Sequence, residues 1–441
     1  MAPQRLADKL FKLGENGTTF KTEILGGATT FITMAYIVVV NPAILAAGGI
    51  PKEASTTATI LAAVIGTLVM ALYARRPFAV APYMGENAFI AFTVCLGMGF
   101  GWEKALGALF ISGLVFVLIT VLRIRSWIAT AIPDSLKRSF AGGIGFFIMF
   151  IGLNETGLIR LGMVNAPVKI GDLSGSGPLL AVLAIALISI LMIRRIPGAI
   201  LIGMLVTTVV AFLTKDTQVP HEIVSLPPSL APVLFQLDIR GAFSLDFLPV
   251  ILVLFVMAFV DTMGTLIGLS ARAGLLDEHN NLPEIEKPMM ADAVATTSAA
   301  LLGTSTTGAF IESAAGIEAG ARTGFASLVT AGMFLICLFL APLFVAVPAV
   351  AYGAALIVVG FLMITPLRDL PFHDYADLFP AVATIAVMAF SYNIGFGMAT
   401  GFVLYPIFQI AAGRGRKVSA GAWILFAISA LLFVFYPYER M

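Results

Sequence analysis

Long apolar stretches alternate with short polar breaks along almost the whole chain. A membrane-spanning helix needs about 20 mainly apolar residues, because backbone groups in lipid must satisfy one another's hydrogen bonds. Most of the stretches approach this length, and a polar loop at 215–245 divides them into two sets of seven. A further apolar segment at 421–437 is either an additional span or a helix lying at the membrane surface. The predicted spans are 24–43, 55–74, 87–100, 103–124, 135–154, 177–193, 197–214, 246–270, 288–303, 312–321, 323–345, 349–365, 377–393 and 396–412.

An odd number of spans before the central loop makes the two halves enter the membrane from opposite sides. Many secondary transporters are built from such inverted repeats. With the N-terminus inside, most lysines and arginines fall on the cytoplasmic side, as the positive-inside rule requires. We therefore predict an all-α polytopic membrane protein with a 7+7 inverted-repeat transporter fold of about 14 spans. We expect it in the plasma (inner) membrane, with a cytoplasmic N-terminus.

The composition supports this class and argues against others. The 441 residues are 59% hydrophobic and 12% charged, whereas soluble domains have roughly 25% charged residues. A net charge of +1 gives no indication of a nucleic-acid partner. Cys95 and Cys337 both lie in apolar segments, so we expect no disulfide framework. No nucleotide-binding loop, nucleophile motif or metal-ligand spacing occurs, so we expect no enzyme activity, metal site or cofactor.

Two polar breaks occupy matching positions in the two halves. APYMGENAF (81–89) opens the third span of the first half, and GTSTTGAFIESAAGIEAGARTG (303–324) precedes and opens that of the second. Both are too short and too glycine-rich to cross alone, and they carry Glu86 in the first case and Glu312 and Glu318 in the second. Matched breaks of this kind form transporter sites, with half-helix N-termini facing a midplane cavity. One break alone would equally suit a kink, and we assign Glu318 a structural or interfacial role.

Asp261 is the strongest single signal of a site. It follows fourteen consecutive uncharged residues, and a charge at a helix centre costs about 2.5–3.5 kcal/mol on insertion scales, so such residues are usually functional. On a helix, Thr265 shares a face with Asp261. Gly264 and Gly268 form a small-residue pair that would let another helix approach closely. The alternative is a buried aspartate that only joins two helices by a hydrogen bond.

Four motifs, taken together and in order, resemble a known family. They are GATTFITMAYIVVVNP (27–42), APYMGENAF, VDTMGTLIG around Asp261, and the glycine-rich segment around Glu312. The chain is similar, from about residue 10 to residue 415, to the nucleobase–cation symporters of the xanthine/uracil permease superfamily. Within them it resembles the AzgA-like adenine/guanine/hypoxanthine permease branch. The resemblance implies the uracil-permease-type fold and proton-coupled uptake of purine bases by elevator-like alternating access.

The resemblance also implies how the chain divides into domains. A core domain would comprise spans 1–4 and 8–11, and a gate domain would comprise spans 5–7 and 12–14. The expected units are a cytoplasmic amphipathic N-terminus (1–22), a first core segment (23–125), a first gate segment (126–214), an extracytoplasmic loop (215–245), a second core segment (246–345), a second gate segment (346–413) and a C-terminal apolar helix (414–441).

Three polar residues match family positions, and two positions depart from the pattern. Asp261 matches the family's acid in span eight, Glu312 the acid that opens span ten, and Asn87 the polar residue in span three. The pattern usually has an apolar residue, often Leu, where this chain has Glu86, and often Gly where it has Tyr83. These departures leave the fold expectation intact but bear on purine preference and coupling stoichiometry.

Purine chemistry suits the same residues. A purine presents N–H donors and ring-nitrogen acceptors along flat edges, so carboxylates from spans eight and ten can each accept a donor. We take Glu312 as the principal substrate acceptor and Asp261 as the proton carrier, although the two roles are exchangeable. Phe89 has a ring that can stack on a flat ligand, but packing is the default role for one of 34 phenylalanines. The candidate site residues are Asp261, Glu312, Asn87, Ser313, Thr265, Glu86 and Phe89.

The expected partners are a purine nucleobase and the lipid bilayer, with a proton as the coupling ion. A homodimer is left open, because gate-domain surfaces of this fold can pair. An anion carrier of the sulfate or bicarbonate type is disfavoured, since no predicted midplane Lys or Arg offsets the acids. A uracil or xanthine permease of the same fold remains an alternative. A channel or a membrane-bound enzyme would not need a matched set of buried acids.

Overall fold

The computed structural model describes residues 2–124, 131–163, 166–220, 222–244, 247–278 and 282–435. The predicted domain boundaries at 125/126 and 245/246, and the predicted end of the last segment at 437, lie outside these residues. The helices of the first half are α1 (Ala2–Phe11), α2 (Phe20–Met34), α3 (Ile37–Ala47), α4 (Lys52–Val69), α5 (Met84–Ala88), α6 (Trp102–Val121), α7 (Asp134–Glu155), α8 (Ser176–Ile193) and α9 (Ala199–Leu213).

The second half repeats this pattern after an irregular loop. Its helices are α10 (Ile239–Ala242), α11 (Leu248–Ala273), α12 (Glu286–Leu302), α13 (Ser313–Glu318), α14 (Gly324–Cys337), α15 (Ala341–Val345), α16 (Ala349–Met363), α17 (Tyr375–Ser391), α18 (Ile394–Ala411) and α19 (Ala420–Phe435). The short strands are β1 (Val80–Pro82), β2 (Ile159–Met163), β3 (Ala166–Ile170) and β4 (Thr307–Ala309). Two π-helical stretches, Met70–Ala74 and Phe89–Gly97, continue α4 and α5.

Within the described residues, nine helices are long and apolar enough to cross a membrane. The first of them, Phe20–Ala47, is one span made of α2 and α3 with a break at Ala35–Tyr36. Four more helices are apolar but shorter, among them Met84–Gly97. Helices α12 and α13, in the predicted spans nine and ten, are absent from both groups, because α12 is less apolar and α13 is only a half-helix.

The two polar breaks of the sequence meet at the centre of the protein. Strands β1 and β4 pair antiparallel, with Val80 opposite Ala309 and Pro82 opposite Thr307. All residues of both strands are buried. Non-helical backbone is tolerated at membrane depth only where protein surrounds it, and here each strand supplies hydrogen-bond partners to the other. Gly308 is required in β4, because a Cβ there would lie 2.3 Å from the hydroxyl oxygen of Tyr83.

Each strand is followed at once by a half-helix, α5 after β1 and α13 after β4. Helix α13 packs directly on α2, since a Cβ at Gly316 would lie 2.0 Å from the Thr30 hydroxyl oxygen. The buried carboxylate of Glu23 accepts hydrogen bonds from the backbone amides of Thr323 and Ala326. It therefore caps the N-terminus of α14, as a carboxylate at a helix start does. The first span thus fixes both segments that follow β4.

The helices pack mainly in two sets. One consists of α7, α8, α9, α16, α17 and α18, and the other of α2, α3, α4, α6, α11, α12, α13 and α14. Outside both sets, β2 and β3 form a hairpin between α7 and α8. The last helix, α19, packs mainly against α18. A cavity opens where the two sets face each other.

Candidate substrate site

The cavity has a volume of about 660 Å³ and is bounded by α7 and α16 on one side and by α11 and the start of α13 on the other. Its wall is mainly apolar, with carboxyl groups from Asp261 and Glu312 and the hydroxyl of Thr265. Lys137 and Arg138 lie on the wall formed by the other helix set. Ligand pockets of roughly 300–1,000 Å³ take small organic molecules, so this cavity is large enough for a flat heterocycle.

Asp261 reaches the cavity from the middle of α11, and its face of the helix is open. A Cβ at Gly264 would meet no atom within 4 Å, and one at Gly268 would meet only Ile311, at 3.9 Å. The expectation that these glycines let another helix approach closely was wrong. Their lack of side chains widens the cavity beside Asp261 instead.

Glu312 lies at the start of α13 and is held by the break in the first span. The hydroxyl of Tyr36 donates to Glu312 Oε1 at 2.5 Å, and Thr33 Oγ1 donates to the Glu312 carbonyl oxygen at 3.3 Å. Tyr36 is only 1% exposed, so its hydroxyl is fixed in position. A charge-assisted hydrogen bond of this kind orients the carboxylate while leaving its second oxygen available to a ligand. Sequence reasoning missed Tyr36, although it lies within the quoted first-span motif.

Asn87 lies behind the cavity wall in a buried amide and hydroxyl network. Its side-chain nitrogen donates to Asn41 Oδ1 at 2.9 Å. Asn41 in turn donates to the hydroxyls of Thr59 and Thr304, at 2.7 and 2.8 Å, and Ser305 donates to Asn41 Oδ1 at 3.1 Å. The network joins α3, α4, α5 and the segment before β4. In this structure Asn87 therefore holds the two breaks together and does not line the cavity.

Ser313 and Phe89 are also buried away from the cavity. Ser313 Oγ accepts a hydrogen bond from the backbone amide of Ala79 at 3.0 Å, which ties α13 to the start of β1. Phe89 packs against α18, where a Cβ at Gly395 would lie 2.9 Å from the phenylalanine ring. Of the seven candidate residues, Asp261, Thr265 and Glu312 thus line the cavity, and the other four do not.

Glu86 is fully buried on α5, and neither carboxyl oxygen has a hydrogen-bond partner among the described residues. The half-helix packs against both helix sets: a Cβ at Gly85 would lie 3.1 Å from Ile144 on α7 and 3.3 Å from Met257 on α11. Glu86 interacts electrostatically with Asp261, which lies one helical turn beyond Met257. Glu86, which stands where the family pattern usually has an apolar residue, therefore lies close to Asp261.

Asp292 is another buried acid, and sequence reasoning missed it. Its Oδ2 accepts hydrogen bonds from Thr262 Oγ1 and from the Ala309 amide, both at 3.0 Å, while Oδ1 has no partner among the described residues. The signal was the same as for Asp261, an acid inside a predicted span, but alanines and threonines surround Asp292 and make α12 less conspicuous. Asp292 links β4 to the residue next to Asp261.

Two aromatic rings flank the paired strands; the sequence analysis named Tyr83 only as a departure from the family pattern and missed Phe310. Tyr83 directly follows β1 and Phe310 directly follows β4, and their rings are nearly parallel, at 9°, with centroids 6.3 Å apart. The Tyr83 hydroxyl lies 3.4 Å from Thr262 Oγ1. Tyr83, which departs from the family pattern, therefore contributes to the contact between the first break and α11.

Comparison with known proteins identifies the family. A model of the permease family, of the xanthine/uracil type, matches residues 21–404. The guanine/hypoxanthine permease PbuG of Bacillus subtilis is 40% identical over 436 residues, covering 96% of this chain and 99% of that protein. The adenine permease AdeP of Escherichia coli is 38% identical over 431 residues, covering 98% and 96%.

Solved structures agree on the fold. The transmembrane domain of the cyanobacterial bicarbonate transporter BicA superposes with a TM-score of 0.61 at 17% identity, over 86% of this chain and 96% of that one. Such transporters have the 7+7 inverted-repeat fold, which confirms the fold predicted from the sequence. The resemblance drawn from the four motifs is confirmed as well. This chain belongs to the xanthine/uracil permease family, and it is therefore a membrane permease and not an enzyme.

Proposed function

We propose that this permease takes up purine nucleobases by proton symport. One observation supports the proposal above all: carboxyl groups from two helices of the second half, those of Asp261 and Glu312, face the same largely apolar cavity. The relatives named for adenine, guanine and hypoxanthine are similar to this chain over almost its whole length. A purine offers N–H donors on a flat apolar ring system, and a cavity with acceptors on an apolar wall complements it.

The two acids have different surroundings, which suggests different roles. Glu312 is oriented by the Tyr36 hydroxyl, so it is the better placed to accept an N–H of the base in a fixed geometry. Asp261 has no hydrogen bond to a side chain of the described residues and interacts with Glu86 behind it. Two carboxylates close together in an apolar surrounding disfavour double ionisation. We therefore assign the transported proton to Asp261 and base recognition to Glu312.

The cavity lies between the two helix sets, and this suggests how access alternates. The set containing α11 and α13 carries both acids and corresponds to the core domain, while the set containing α7 and α16 corresponds to the gate. Sliding of the core against the gate would carry a bound base from one face of the membrane to the other, as in an elevator. By the positive-inside rule, the N-terminus lies in the cytoplasm.

An anion carrier is the second candidate, because BicA shares the fold. The charges of the site disfavour it. Both acids that line the cavity would repel an anion, and the cations on the opposite wall are already engaged: Lys137 pairs with Asp134 at 2.8 Å, and Arg138 donates to the carbonyl of Asp369. A purine requires no such neutralisation.

Uptake of labelled hypoxanthine into proteoliposomes tests the proposal. We expect saturable accumulation that requires an inward proton gradient and is blocked by unlabelled adenine or guanine, but not by sulfate. A protonophore should abolish accumulation, since one proton driven by 100 mV and one pH unit supplies roughly 3.7 kcal/mol. Accumulation of labelled sulfate or uracil without uptake of any purine would overturn the substrate assignment while leaving the fold untouched.

Glu86→Leu is expected to stabilise the protein. A buried carboxyl without a partner carries a desolvation cost of about 1–3 kcal/mol, which an apolar side chain of similar size removes. The apparent melting temperature of the purified protein should therefore rise. Uptake of hypoxanthine should persist, because Leu is the residue that the family pattern usually has at this position.

Glu86→Ala provides the comparison for this substitution. It also removes the carboxyl but leaves a void between α5 and its neighbours, so it should be less stable than Glu86→Leu by a few kcal/mol. A lower melting temperature for Glu86→Leu than for the unmodified protein would mean that the Glu86 carboxyl makes stabilising contacts, contrary to the structure.

A further inference from the structure

A second cavity lies at the membrane face on which α1 packs, and it shares no lining residue with the substrate cavity. Its volume is about 570 Å³, and its lining is predominantly polar and basic. It forms where α1 meets the end of the second span, the loop before α12 and the turn before α14. The cations that line it are Lys12, Arg75, Arg76, Lys287 and Arg322, together with one acid, Glu284.

The lysines of this basic cavity are neutralised, but the arginines are not. Lys12 pairs with Glu15 at 2.8 Å, and Lys287 pairs with Glu284 at 2.6 Å. Among the described residues no ion pair joins a carboxylate to the guanidinium groups of Arg75, Arg76 and Arg322. One nitrogen of Arg322, Nη1, donates to the carbonyl oxygens of Ile317 and Ala321, both at 2.7 Å. The cavity therefore holds an excess of positive charge, carried by planar guanidinium groups whose donor geometry suits phosphate.

The Nε of Arg76 in particular lacks an acceptor among the described residues. One of its terminal nitrogens donates to the Pro283 carbonyl at 2.9 Å, but its Nε is buried and has no partner among the described residues. Desolvation lowers the pKa of the Arg76 guanidinium, and Glu284 offsets this only in part. A buried donor without an acceptor is costly, and a bound anion would satisfy it.

The rim of the basic cavity is apolar. Leu10, Leu72 and Tyr73 line it and are 48, 56 and 53% exposed. Leu72 and Tyr73 belong to the last turn of the span Lys52–Ala74, so they lie at the level where acyl chains meet headgroups. A free phosphate ion would gain nothing from this rim, whereas a lipid would place its acyl chains against it.

We propose that the basic cavity binds the phosphate of an anionic membrane lipid, with the guanidinium groups of Arg75, Arg76 and Arg322 as its donors. Basic pockets at the ends of membrane helices are typical sites for such headgroups. The N-terminal amides of α14 do not contribute, because Glu23 already accepts from them. The bound lipid would join α1 to the helices that hold the substrate site.

Lipid binding to the purified full-length protein tests this site without any transport measurement. Native mass spectrometry and thermal unfolding would be run with phosphatidylglycerol, with phosphatidylcholine and with inorganic phosphate. We expect phosphatidylglycerol to bind and stabilise preferentially. The double substitution Arg75→Gln and Arg76→Gln should weaken its binding by about tenfold or more, as expected for the loss of charge-assisted hydrogen bonds.

The matched control is the double substitution Arg416→Gln and Lys417→Gln, which removes the same charge from an exposed turn outside the cavity. It should leave the binding of phosphatidylglycerol unchanged. If the Arg76 change impairs folding, Arg75→Gln alone is used, since the Arg75 side chain is exposed. Equal weakening in the control, equal binding of phosphatidylcholine, or equal stabilisation by inorganic phosphate would each overturn the proposal.

Discussion

Replacing Asp261 by asparagine is expected to abolish accumulation of the base against its gradient while leaving binding and exchange in place. Asparagine has the shape of the acid but cannot carry a proton. The driving force lost is roughly 3.7 kcal/mol for one proton at 100 mV and one pH unit, equivalent to about 500-fold accumulation. Labelled hypoxanthine in proteoliposomes should then only equilibrate, at a rate that no longer depends on pH.

Counterflow separates the two roles that Asp261 can have. Vesicles preloaded with unlabelled hypoxanthine should still exchange it for external label in the Asp261→Asn variant, because exchange needs binding but no net proton movement. Asp172→Asn, the same substitution in an exposed loop, should behave like the unmodified protein. If Asp261→Asn loses counterflow and base binding together, Asp261 belongs to substrate recognition and the division of roles is wrong.

The lengths of the spans and the positions of the breaks could be predicted from local sequence, because the bilayer imposes them. The hydropathy of the sequence indicates the membrane-spanning segments, since each must be apolar over the thickness of the hydrocarbon core of the bilayer. The breaks at 81–89 and 303–324 can be recognised in the sequence because glycines and acids interrupt apolar surroundings, with a proline in the first break. The pairing of the two breaks as β1 and β4 was not predicted; it satisfies the hydrogen bonds of extended backbone inside the protein.

The partners of the site residues could not be predicted in this way. Tyr36 and Glu312 are 276 positions apart, and nothing in either segment says that they will share a hydrogen bond. Asn87 and Asn41 are 46 positions apart, and their contact holds Asn87 in a buried network away from the residues that line the cavity. An acid inside a span signals that it needs partners, but three-dimensional packing decides whether it faces the cavity.

Three-dimensional packing also explains why two of the buried acids line the cavity and two do not. Asp261 and Glu312 sit at positions where the wall is open, beside Gly264 and at the exposed start of α13. Asp292 and Glu86 are enclosed, the one by hydrogen bonds and the other by apolar contacts. Under the roles that we propose for these acids, the same residue type would serve recognition, structure or proton binding according to which neighbours surround it.

Glu312→Gln is expected to lower the affinity for hypoxanthine by about 30-fold or more. A hydrogen bond to a charged group contributes about 1.5–3 kcal/mol, and a buried N–H left facing another donor adds to the loss. Glutamine keeps the size of the side chain but replaces one acceptor oxygen by an NH₂ group. Scintillation proximity binding of labelled hypoxanthine measures the effect without requiring transport.

Two further variants show whether the loss comes from the acceptor itself. Tyr36→Phe removes the hydroxyl that orients the carboxylate and should weaken binding by only about tenfold, since the acceptor remains. Glu318→Gln, on the same half-helix, changes an exposed acid that pairs with Arg272 at 2.5 Å and should leave affinity unchanged. If Glu312→Gln binds hypoxanthine normally but transports it without a proton, Glu312 is the proton carrier and the roles of the two acids are exchanged.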